Sequence, residues 1–117
     1  MPRYVILRHD WPTPHFDLLL GADGVLKAWR LTAEPTPGVT VPATPNADHR
    51  VHYLDYEGEV GGGRGTVTRY ASGVYDGDIA GATWAVRWGD GVATMTAEGF
   101  RVGTSLNRFT AEGTEST

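Results

Sequence analysis

His15-Phe16-Asp17-Leu18-Leu19-Leu20-Gly21-Ala22-Asp23-Gly24-Val25-Leu26-Lys27-Ala28-Trp29-Arg30-Leu31 decides the fold class of this chain. Two β-prone runs, His15 to Leu20 and Val25 to Leu31, flank the turn signal Gly21-Ala22-Asp23-Gly24 and so read as a hairpin. Side chains alternate across a strand, which puts Phe16, Leu18 and Leu20 on one face and His15, Asp17 and Leu19 on the other. The first face is wholly apolar and is expected to be the core. His15 and Asp17 are then expected on a wetter face.

Outward from this hairpin the chain keeps a β rhythm. Arg3 to His9 reads as a strand, cut off by Trp11-Pro12-Thr13-Pro14, where two prolines oppose any helix. If it lies beside the next strand, His9 returns to His15 and Asp17. Ala33 to Asp48 holds Pro35, Pro37, Pro42 and Pro45 without periodicity and reads as a long surface loop. His49 to Val60 resumes as a strand, Gly61-Gly62-Gly63-Arg64-Gly65 as a flexible connection, and Thr66 to Ala71 as another strand. Thr83 to Trp88, Val92 to Ala97 and Phe100 to Leu106 complete an antiparallel pattern. These signals predict a mainly β protein, a single small closed or nearly closed β-barrel with long loops over residues 1–110, followed by a polar flexible tail, 111–117.

Composition narrows the function classes. At 117 residues the chain has room for one domain and none for a separate cofactor-binding module. The absence of cysteine excludes disulfides, thiolate metal sites and a cysteine nucleophile. No apolar run has the length of a signal peptide or a membrane span, so a cytoplasmic protein with no membrane role is expected. A net charge of −4 gives no global basic footprint, and any nucleic acid must be held by local contacts.

Chemistry concentrates in two segments. Two imidazoles and one carboxylate from these segments would leave open positions on Zn²⁺ or Mn²⁺. Alternation along His49 to Val60 sends His49, Val51, Tyr53 and Asp55 one way, so His49 and Tyr53 can serve one pocket and donate to phosphate oxygens. His52 points the other way. Trp84 and Trp88 share a strand face with Val86 and are assigned to packing, whereas Trp11, in its proline-flanked loop beside His9, is the candidate for base stacking.

His9 to Leu19 resembles the His-x5-His-x-Asp-x-Arg signature of the 3′-phosphoesterase domain of bacterial DNA ligase D. The resemblance continues through Gly24-Val25-Leu26-Lys27-Ala28-Trp29 and Asp48-His49-Arg50-Val51-His52-Tyr53-Leu54-Asp55-Tyr56-Glu57-Gly58, and covers most of the chain through Tyr75. It implies a β-barrel that trims 3′ ends during strand-break repair, removing a terminal ribonucleotide and then a 3′-phosphate with one divalent ion, manganese or zinc. His9, Asp17 and His49 correspond to metal ligands, and His15 and Tyr53 to catalytic groups on the scissile phosphate. The implied partners are the 3′ end of a DNA or RNA–DNA strand and other end-joining proteins. Leu19 stands where the family has a phosphate-binding arginine, Ala47 where it has an acid, and Ala33 where it has a basic residue. Arg8, Arg30, Arg50 and Arg64 are the cations available as replacements. Leu19 and Ala47 favour the alternative, a non-catalytic metal- or phosphate-binding barrel that holds nucleic-acid ends or a repair partner.

Overall fold

The Asp23-Gly24 pair turns as the hairpin requires. Both residues are left-handed, with φ of 53° and 81°, the two-residue geometry whose twist matches that of the strands it joins. This fixes the register from Ala22↔Val25 back to Phe16↔Leu31. Around this hairpin, in a computed structural model that describes residues 2–103, every strand pairing is antiparallel. The expected tail, 111–117, lies outside the described residues, as does the end of the Phe100 to Leu106 run.

The strands are β1 (Arg3–His9), β2 (His15–Ala22), β3 (Val25–Leu31), β4 (Ala43–His49), β5 (Gly58–Glu59), β6 (Thr66–Asp76), β7 (Trp84–Trp88), β8 (Gly91–Thr96) and β9 (Gly99–Val102), with a 3₁₀ helix at Val51–Leu54. They form one sheet in the order β4-β3-β2-β1-β6-β7-β8-β9, and β5 pairs with β6. β6 runs past the expected end at Ala71 to Asp76. It joins two halves, pairing with β1 from Val67 to Val74 and with β7 through Tyr75 and Asp76.

The expected closure into a barrel is not found. Among the described residues the edge strands β4 and β9 do not pair with each other, and their neighbourhood meets at one isolated bridge, Val41↔Phe100. The Ala33 to Asp48 stretch also differs from the expected loop, because its last part is β4. This edge strand is mostly exposed, so it carries no apolar alternation to read, and an edge tolerates Pro45. The expected strand from His49 to Val60 is broken up: His49 ends β4, Gly58–Glu59 is β5, and between them lies the 3₁₀ helix, closed by Tyr53 N–H to the Arg50 carbonyl at 3.1 Å and Asp55 N–H to the His52 carbonyl at 3.1 Å. Arg3 grips Asp55 at the end of this helix through two guanidinium hydrogen bonds of 2.6 and 3.3 Å. That pairing holds the Asp55 carboxyl below the usual carboxylate range.

The wetter face expected for β2 is in fact a second core. Tyr4, Ile6, Leu18 and Leu20 pack with Trp84, Val86, Trp88, Met95 and Phe100 of the other half. Val5, Leu7 and Leu19 pack on the opposite face with Leu26, Ala28, Leu54 and Val67, and Tyr53, Tyr56 and Val60 flank them. β1 and β2 are therefore covered on both sides, which explains their unbroken apolar runs Tyr4-Val5-Ile6-Leu7 and Leu18-Leu19-Leu20. Trp84 and Trp88 are buried as expected, with Tyr4 stacked on Trp88 at 3.7 Å between ring centroids. Among the described residues no helix is long and apolar enough to cross a membrane.

Candidate metal and phosphate site

The second core stops short of one end of the β1–β2 pair, and polar residues take over there. The register sets His9 opposite His15 and Leu7 opposite Asp17, and directly paired residues on antiparallel strands project to one face. His9, His15 and Asp17 thus converge. One ligand atom from each lies within 4.8 Å of the others. His9 Nδ1 is 3.4 Å from Asp17 Oδ2, and His15 Nε2 is 3.2 Å from Asp17 Oδ1. His15 and Asp17 are only 4% and 5% exposed.

The hydrogen bonds of the rings fix what these atoms offer. His9 Nε2 bonds the Arg64 carbonyl at 2.8 Å, His15 Nδ1 the Thr13 carbonyl at 2.8 Å, and His49 Nδ1 the Ala47 carbonyl at 2.9 Å. A carbonyl oxygen only accepts, so each of those nitrogens is the donor. In the neutral ring the other nitrogen carries a lone pair. When both rings are neutral, the lone pairs of His9 Nδ1 and His15 Nε2 face the Asp17 carboxylate. His15 Nε2 is buried and has no hydrogen-bond partner among the described residues, lying 3.2 Å from Asp17 Oδ1 without the alignment of a hydrogen bond. Lone pairs and a carboxylate repel one another unless a proton or a metal ion sits among them, and three such donor atoms can share one metal ion. Imidazoles anchored through their outer N–H to backbone carbonyls are the usual support of metal-binding histidines. The nitrogen and oxygen donor set suits Zn²⁺ or Mn²⁺, so the residues fit a divalent ion.

A cavity of about 350 Å³ opens beside this cluster, with His9, Asp17, His49, Tyr53, Trp11, Arg50 and Arg64 on its wall. The structure thus brings four of the five expected site residues, His9, Asp17, His49 and Tyr53, to one cavity. His15 lies behind the wall, against Asp17. His49 is outside the close group of ligand atoms and faces Tyr53, with ring centroids 5.8 Å apart.

Alternation along a strand does not explain why His49 and Tyr53 meet, since His49 ends β4 and Tyr53 belongs to the 3₁₀ helix. The turn itself brings them together. His52 is exposed and absent from the cavity wall, with its ring 4.1 Å from that of Tyr53. His52→Ala is accordingly expected to leave metal affinity nearly intact in a calorimetric titration, and a loss as deep as that from removing His9 would overturn this placement.

Arg30 is the site neighbour that sequence reasoning did not single out from the other arginines. The hairpin register places it directly opposite Asp17, half-buried, with a buried Nε that has no hydrogen-bond partner. The signal was present in the sequence. A two-residue turn at Asp23-Gly24 fixes every pair of the hairpin, Asp17 with Arg30 included.

Comparison with known proteins bears on this site directly. The family model described as DNA Ligase D 3′-phosphoesterase domain matches residues 7–107. The multifunctional non-homologous end joining protein LigD of Pseudomonas aeruginosa is 37% identical over 60 residues, which is 50% of this chain. That match takes in 7% of the relative's own length.

Proposed function

We propose, from the premise that the chain belongs to the DNA ligase D 3′-phosphoesterase domain family, that it is a metal-dependent phosphoesterase acting on 3′ ends of nucleic acid. The reaction is removal of a 3′-ribonucleotide or a 3′-phosphate in end-joining repair, alongside other end-joining proteins. The observation that carries this reading is the convergence of two imidazole lone pairs and a buried carboxylate beside an open cavity.

In this reading His15 takes a metal-binding role and His49 a phosphate-binding one, the reverse of what the resemblance implies. His9, His15 and Asp17 hold the ion, because their donor atoms form the close group and His15 is too buried to meet a substrate. His49 and Tyr53, on the open wall, engage the phosphate. A Mn²⁺ or Zn²⁺ ion in this position supplies Lewis acidity toward a phosphoryl oxygen and toward water.

The chain's own groups do the rest. His49, with Nδ1–H tied to the Ala47 carbonyl, presents Nε2 as the atom that accepts a proton, or returns one to a leaving oxygen. The Tyr53 hydroxyl donates to a phosphoryl oxygen. Positive charge comes from Arg30 beside Asp17 and from Arg50 and Arg64 on the wall, in place of the arginine whose position Leu19 occupies. Preorganised donors of this kind are worth ~10²–10³ each in rate.

A primer-template bearing a 3′-phosphate or a 3′-terminal ribonucleotide, incubated with the protein and Mn²⁺, tests the proposal. Mn²⁺-dependent release of phosphate or nucleoside is the expected result, lost when the metal is chelated. One observation favours a second reading, a non-catalytic module that binds nucleic-acid ends: Leu19 is sealed in the core, so no side chain at that position reaches the phosphate. Mn²⁺ binding and end binding without any turnover would establish that reading and overturn the enzymatic one.

A further inference from the structure

Three of the four tryptophans are used for packing, Trp84 and Trp88 within the main core and Trp29 against it. Trp11 is not. It is 43% exposed and stands on the wall of the cavity that holds His9 and Asp17.

Its loop is built into the fold. The Asp10 carboxylate accepts a hydrogen bond from Thr66 N–H at 2.8 Å, and Asp10 N–H donates to the Thr66 carbonyl at 3.3 Å. Gly65 has φ of 81°, and a Cβ there would collide with both the Asp10 carboxylate and Trp11 Cβ. The absence of a side chain at Gly65 is what lets the Trp11 loop lie against β6. Arg64, the preceding residue, is fixed on the same wall, with Nε bonded to the Gly61 carbonyl at 2.6 Å and its own carbonyl bonded to His9.

We infer that Trp11 and Arg64 form a nucleotide-binding wall, on which the terminal base of a single-stranded 3′ end stacks against the indole while Arg64 pairs with the adjacent backbone phosphate. This inference rests on the proposed function and names the part of the substrate that the metal and phosphate groups do not read. An indole face accepts a base only when that base is unstacked, which selects a frayed or single-stranded end over a closed duplex. Every base has a π-face, so the contact is sequence-tolerant. It also supplies affinity locally in a chain whose net charge is −4.

The test uses the full chain with Mn²⁺ and three probes: a single-stranded oligodeoxynucleotide ending in a 3′-phosphate, the same strand with an abasic terminal sugar, and inorganic phosphate. Trp11→Ala is expected to weaken the first probe by about 5- to 100-fold, with Trp11→Phe retaining most of the affinity. The abasic strand, inorganic phosphate and Mn²⁺ should bind Trp11→Ala as they bind the wild type. In the wild type, the first probe and not the abasic one should quench part of the tryptophan emission, a readout that needs no variant.

Equal weakening of the normal and abasic strands, an unchanged affinity in Trp11→Ala, or Mn²⁺ binding without strand binding would overturn the wall and leave the metal site standing. A wild type that binds no Mn²⁺ would instead reject the metal-site reading, and the wall with it.

Discussion

Leu19→Arg is expected to cost the domain about 3–5 kcal/mol or more of stability, although it would restore the arginine of the family signature. Leu19 is fully buried in the second core, with Val5, Leu7, Leu26 and Ala28 around it. A guanidinium placed there loses its hydration without gaining a partner, and it overfills a packed site. Since a domain of this size is stable by only about 5–15 kcal/mol, urea denaturation should show a large fall in midpoint or no folded baseline at all. Leu19→Ala, which only leaves a cavity, should cost about 2–5 kcal/mol. A folded Leu19→Arg protein with raised 3′-end processing would mean that the arginine reaches the cavity after all. The phosphate charge would then not depend on Arg30, Arg50 and Arg64.

The same residue marks the limit of what could be read from the sequence. Alternation in β2 correctly separated Leu18 and Leu20 from His15, Asp17 and Leu19. It did not tell that both faces are covered. Burial of the second face depends on Tyr53 and Leu54 of a 3₁₀ turn far along the chain and on Tyr56 just after it, which no local pattern announces. The hairpin was legible from its turn residues, although the turn is shorter than the expected Gly21 to Gly24: Gly21 and Ala22 belong to β2, and Asp23-Gly24 alone makes the turn that sets the register. β4 was not legible, because an edge strand that is mostly exposed is selected for backbone pairing and leaves no periodic trace.

The site was half legible. Alternation placed His15 and Asp17 on one face, with His9 beside them if the first two strands pair, and the structure pairs β1 with β2 and brings the three together. What separates the imidazoles in the proposed assignment is burial and the carbonyl partners contributed by Thr13, Ala47 and Arg64. Those are backbone groups, and the residue types at those positions carry no signal of the role.

Asp17→Asn separates a metal ligand from a structural residue. At a pH where both rings are neutral and no metal is bound, the wild-type carboxylate is nearly buried between two lone pairs, an arrangement that costs stability. An asparagine amide removes the charge and offers N–H groups to those lone pairs, so folded stability should hold or rise. Metal affinity should fall by more than about 100-fold, at least the loss seen when a supporting residue outside the ligand set is removed. A purely structural Asp17 would lose stability on this substitution.

Calorimetric titration of Mn²⁺ into the full chain and its variants is the most direct measurement of the metal centre. One site is expected in the wild type, with heat lost in Asp17→Asn, His9→Ala and His15→Ala and retained in His49→Ala. Retention in His15→Ala with loss in His49→Ala, or no binding by the wild type, would contradict the assignment of His9, His15 and Asp17 as the metal-binding set.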